Sequence, residues 1–76
     1  MHTRLLFLNQ NVRSLTYDKE AELIRLMLAK GAFACTVQET HFNHDKQYVY
    51  GQHLVIGKGG NGRGTGVAIM LSPAAR

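Results

Sequence analysis

Asn11 and Glu39 stand out by residue type and position, because each closes a short apolar run. A carboxylate is a hard oxygen ligand suited to Mg²⁺, which takes one or two protein carboxylates and otherwise keeps waters and substrate phosphate. An asparagine beside it can orient a metal-bound water or a neighbouring ligand without adding charge. If the two runs are neighbouring parallel strands, both side chains emerge just beyond the strands' carboxyl ends, where layered α/β proteins gather functional groups. On spacing alone a second reading stands beside this one: two solvated polar residues where strands meet loops.

Other chemistry-bearing patterns are weaker. Gly57-Lys58-Gly59-Gly60-Asn61-Gly62 matches the dinucleotide fingerprint G-x-G-x-x-G. That fingerprint holds a pyrophosphate only when a helix N-terminus follows, and the next run, Val67 to Leu71, reads as a strand. The phosphate-loop pattern fails too, because Lys58 is followed by Gly59 instead of Ser or Thr. The stretch reads better as a mobile hairpin tip, with Lys58 and Arg63 placed to touch backbone phosphates. Cys35, His41 and His44 suggest zinc, but structural zinc usually needs four ligands paired at short spacing. Cys35 lies inside an apolar run, where a lone cysteine is more often a small core residue. His2 and His53 have no recognisable partners.

The elements that must position Asn11 and Glu39 follow from the hydrophobic pattern. Leu5-Leu6-Phe7-Leu8 is a short continuous apolar run, expected to be a strand buried on both faces. Ser14 to Thr16 read as a turn with Thr16 as helix N-cap. From Tyr17 to Lys30 the period changes: Glu20, Leu23, Ile24, Met27 and Leu28 recur at helical spacing, and Gly31 supplies the stop. Phe33 to Gln38 reads as a second buried strand ending at Glu39. Strand, helix and strand in this order form a βαβ unit, which makes the two strands parallel. Thr40 to Lys46 is a loop. Tyr48 to Tyr50 and His53 to Ile56 are short strands, and Gly57 to Gly66 is a glycine-rich connection leading to Val67–Leu71 in an antiparallel hairpin. The expected fold class is α/β (α+β), a βαβ unit followed by a β-hairpin.

Seventy-six residues allow one small domain. Nine Lys and Arg against five Asp and Glu give a formal charge of +4, a balance that favours polyanionic partners but is scattered along the chain. The single cysteine rules out an intrachain disulfide and suits a reducing compartment. The Leu5–Leu8 run is too short for a signal peptide, and no segment approaches a membrane span, so a nuclear or cytoplasmic setting is expected.

Asn11-Val12-Arg13-Ser14-Leu15 resembles the first motif of the endonuclease/exonuclease/phosphatase (DNase I-like) family. Val37-Gln38-Glu39-Thr40-His41-Phe42 resembles its second motif, and Gly64-Thr65-Gly66-Val67-Ala68-Ile69-Met70-Leu71-Ser72 the strand that follows. The flavour is closest to the endonuclease domains of non-long-terminal-repeat retrotransposons. The resemblance implies that residues 1–76 are the N-terminal part of a Mg²⁺-dependent phosphodiesterase, a DNA endonuclease of retroelement type folded as part of a DNase I-like sandwich. Other phosphate esters are alternative substrates in such a family, and Mn²⁺ an alternative metal. Glu39 would be the metal-binding carboxylate, and Asn11 the polar residue that organises metal and phosphate. Gln10 departs from the family, many members of which carry an aromatic residue there. The family's later motifs, an Asp-x-Asn segment and an Asp-His pair, are not found. Because a missing general base alone costs about 10²–10⁴-fold, the chain by itself is expected to be inactive. The competing expectations are a non-catalytic basic nucleic-acid-binding module and an inert remnant.

Overall fold

The computed structural model describes residues 5–61 and 65–76. Six principal elements follow one another: β1 (Phe7–Asn11), α1 (Tyr17–Lys30), β2 (Ala34–Gln38), β3 (Lys46–Tyr50), β4 (His53–Lys58) and β5 (Val67–Leu71). The strands form one mixed sheet in the order β1-β2-β5-β4-β3. β1 and β2 are parallel neighbours, with Asn11 opposite Gln38, while β5 pairs antiparallel with both β2 and β4. The fold is thus a small mixed α+β globule containing the expected βαβ unit and the expected β4–β5 hairpin.

The helix forms where its signals place it. The Thr16 hydroxyl accepts from the Lys19 amide at 3.3 Å. Gly31 is left-handed at φ 64°, its amide donating to Leu28 O while the Ala32 amide donates to Met27 O at 2.8 Å. These two bonds are a Schellman stop, which favours glycine at its left-handed position. Glu20, Leu23, Ile24 and Met27 are buried against the sheet, but Leu28 is 66% exposed. The buried stripe is centred one step earlier than the sequence pattern suggested, leaving Leu28 at its margin.

All of α1 lies on one sheet face. That face carries Leu8 on β1, Cys35 and Val37 on β2, Ala68 and Met70 on β5, Val55 on β4 and Tyr48 on β3, which with the helix form the core. Buried Glu20 ties the helix to the opposite edge strand by accepting a hydrogen bond from the Tyr48 hydroxyl. Burial and the neighbouring Glu20 carboxylate push the Tyr48 phenol far above its ordinary value, so it stays a donor.

Three expectations are corrected. β1 starts at Phe7 and runs to Asn11, later than the Leu5–Leu8 run. It is an edge strand, and Phe7 is 60% exposed, so it is not buried on both faces. Four consecutive apolar residues were a poor guide because Leu5 and Leu6 precede the pairing, and only alternate residues of the strand face the core. Finally, the glycine-rich connection is shorter than its composition implied: Gly57 and Lys58 belong to β4. Gly57 is glycine because the Phe42 ring fills the space a Cβ would need.

Candidate metal and phosphate site

The exits of β1 and β2 are zipped together. The ladder continues past both strands through Val12 N to Gln38 O at 3.1 Å, Ser14 N to Glu39 O at 2.6 Å and Leu15 N to Thr40 O at 2.9 Å. On its other side the β2 exit pairs with the β5 entry, Thr40 N donating to Gly66 O and His41 N to Thr65 O. The bend is tight enough that four non-glycine residues adopt positive φ: Arg13 at 49°, Ser14 at 95°, Glu39 at 55° and His41 at 62°. Such residues each cost about 1–3 kcal/mol and concentrate where surrounding structure over-determines them, at ligand and active sites above all.

This bend brings Asn11 and Glu39 together. The Asn11 side-chain amide nitrogen donates to the Glu39 carboxylate Oε2. Asn11 is exposed and Glu39 half-buried, so the pair faces solvent at the carboxyl end of the parallel strands. With Nδ2 engaged, the Asn11 carbonyl oxygen and the second carboxylate oxygen remain as two hard oxygen donors. That set fits Mg²⁺, which needs only one or two protein oxygens and fills its octahedron with waters and phosphate. It does not make a closed cage, and among the described residues no group of three or more His, Cys, Asp or Glu could hold a metal.

Two neighbours escaped the sequence reading. Asn9 lies on the same face as Asn11, two residues earlier, and accepts from the Thr36 hydroxyl at 3.1 Å. Lys19 reaches back from the first turn of α1 to donate to Val12 O at 2.6 Å and Arg13 O at 3.5 Å. A signal for Lys19 existed. A cation in the first helical turn opposes the helix dipole, so one placed there is being used by something else.

Lys58 is exposed, and the register Asn11–Gln38–Val67–Lys58 puts it in the same sheet row as Asn11. Three interstrand spacings separate them, about 14 Å. Arg63 lies outside the described residues. Cys35 is fully buried under the helix, whereas His41 and His44 are exposed beyond the strand ends, and His44 Nδ1 lies 2.7 Å from Asn43 Oδ1. Burial pushes the Cys35 thiol up, as suits a small core residue.

The glycine-rich segment is committed to packing. Gly59 donates its amide to Asp45 Oδ1 at 3.0 Å and Gly60 donates to Phe42 O at 3.1 Å. A Cβ on Gly59 would meet the His44 backbone at 2.5 Å, and one on Gly66, at φ 88°, would meet Thr40 Oγ1 at 2.5 Å. These amides are not a vacant phosphate cradle, and both flanks of the expected mobile tip lie against the Thr40–Asp45 loop. An open trough of about 580 Å³ crosses the sheet face opposite α1 between Gln47, Ile56, Lys58, Val67 and Ile69, the face that also carries Asn11, two strands from Val67.

No helix among the described residues is long and apolar enough to cross a membrane. Compared with known proteins, the chain matches no family model, and no curated protein or solved structure resembles it at a significant level.

Proposed function

We propose that the chain carries the metal-binding edge of a Mg²⁺-dependent phosphodiesterase, of the kind that cleaves DNA in retroelement endonucleases. The observation that carries this reading is the Asn11–Glu39 contact across the ends of two parallel strands. A solvated pair of unrelated polar residues has no reason to be held together by a backbone bend with four left-handed side-chain-bearing residues.

In this reading Glu39 supplies the negative charge that attracts the metal, and Asn11 fixes the direction in which that carboxylate points. When bound, the metal neutralises charge on the phosphoryl oxygens and acidifies a water. Lys58 stands about 14 Å along the row, or roughly four nucleotide rises of about 3.4 Å on one strand, where it engages a backbone phosphate away from the scissile one. Arg63 has the same assigned role. The uncovered sheet face bears Phe7, Val49, Ile56 and Val67, each 39–60% exposed. A face of that kind is what a second sheet covers in a sandwich, about 10 Å away. The remaining catalytic groups of such an enzyme are not among these residues, so the chain alone binds without turnover.

The net charge of +4 leaves a second reading, a basic nucleic-acid-binding module without chemistry. Affinity for a short DNA duplex at fixed ionic strength separates the two. The phosphodiesterase reading predicts tighter binding with Mg²⁺ than without, and loss of that increment in Glu39→Gln. Affinity that is steeply salt-dependent but indifferent to Mg²⁺ supports the second reading instead.

A further inference from the structure

His53 opens β4 opposite Tyr50, on the sheet face that α1 covers. It is only 3% exposed. Burial lowers its pKa, so the imidazole is neutral, and no group among the described residues hydrogen-bonds to its ring. Beside it a cavity of about 240 Å³ is lined by Ile24, Leu28, Tyr50, Gly51, Gln52 and His53. The cavity lies beneath the second half of α1, at the opposite end of the sheet from Asn11 and Glu39.

Shape and polarity together limit what fits. The volume falls below the ~300–1,000 Å³ of drug-sized pockets, which leaves room for a single ring. Ile24 and Leu28 form apolar walls, the Tyr50 ring packs 5.6 Å from that of Tyr17, and Gln52 completes the lining beside His53. A buried water wants two to four polar partners. Here the buried imidazole has no hydrogen-bond partner among the described residues, so an apolar body with one well-placed polar group displaces a water there favourably. No lining residue is cationic, and Arg76, which donates to Gln52 O at 3.2 Å, is not among them, so an anion would lose its hydration with no charged group of the lining to replace it. A hydroxyl donating to the neutral imidazole suffers no such loss. We propose that this cavity is a binding site for a small neutral phenol-like group, its ring between Ile24 and Leu28 and its hydroxyl on His53. The proposal is independent of the metal reading at the other end of the sheet.

The test is an amide NMR titration of the whole chain at neutral pH with p-cresol, with toluene and with N-acetyltyrosinamide. The expected result is a cluster of shifts at Ile24, Leu28, Tyr50, Gly51 and His53, with p-cresol bound about five-fold more tightly than toluene, the worth of one net hydrogen bond. In His53→Leu the preference for p-cresol should vanish or reverse, because its hydroxyl loses this acceptor. Should that variant fail to fold, the wild-type imidazole carries the same information: p-cresol, which adds a donor to the neutral ring, lowers the measured His53 pKa further than toluene, which only excludes water. Stronger binding of N-acetyltyrosinamide than of p-cresol assigns the phenol to a polypeptide partner, and the reverse order assigns it to a free small molecule; both support the site. Equal binding of p-cresol and toluene in the wild type, or no localised shifts up to the solubility limit, overturns it.

Discussion

Glu39 holds its backbone at φ 55°, in the left-handed region where a Cβ costs about 1–2 kcal/mol. Its side chain touches Asn11 and no core residue requires it, so the residue is costly where it stands. Glu39→Gly should therefore be more stable than Glu39→Ala by about 1 kcal/mol, read as a higher urea midpoint. An Ala variant as stable as Gly would mean that the left-handed geometry is absent in solution. His53 gives a pH prediction. Its folded pKa is lowered, so at pH well above about 6.5 both folded and unfolded chains hold it neutral. As pH falls through that unfolded value, the unfolded chain takes up a proton that the folded one resists, and stability falls until the lowered folded pKa is reached. Urea midpoints measured between acid and neutral pH should show this slope, and His53→Leu should remove its contribution. At this scale the adjacency of Asn11 and Glu39 was readable, because each closes a run that becomes one of two paired parallel strands. It was not readable where the partner is distant: nothing local pairs Asn9 with Thr36 or aims Lys19 at Val12.

Elements were legible in proportion to how local their signals are. The helix carries its cap, its stripe and its stop within its own span, and it forms from Tyr17 to Lys30 as read. β1 carries no such punctuation. Its limits are set by pairing with Ala34–Gln38 far along the chain, which is why the apolar run misplaced them. The glycine-rich segment was misread for the same reason, since its glycines answer to Phe42, His44 and Thr40 and not to a phosphate. That contrast is measurable. Gly31→Ala meets no neighbouring atom and pays only for left-handed backbone, about 1 kcal/mol. Gly66→Ala adds a close contact with Thr40 to a φ of 88°, and should destabilise by about 1–3 kcal/mol more. Equal effects in urea denaturation would refute the packed-loop account. Lys19→Met should leave α1 intact while speeding hydrogen exchange at Ser14 and Leu15, because the ammonium no longer braces the loop between them and the helix.

At the scale of the whole molecule, the sheet has, among the described residues, α1 packed on one face and no element packed on the other. Phe7, Val49, Ile56 and Val67, on four of its five strands, each leave 39–60% of their surface exposed on that second face. Ile56→Thr with Val67→Thr should lower dye binding and light scattering while leaving the circular dichroism unchanged, since neither residue belongs to the buried core. At the same scale the parallel β1–β2 pair is what brings residues 11 and 39 together, and the proposed metal site rests on that adjacency. Paramagnetic broadening by Mn²⁺, a stand-in for Mg²⁺, reports on that site directly. At low Mn²⁺ the account predicts selective broadening of the Asn11 side-chain amide and the Val12, Glu39 and Thr40 backbone amides, abolished by Glu39→Gln and reversed by excess Mg²⁺. Broadening centred elsewhere, or unchanged in Glu39→Gln, would contradict it.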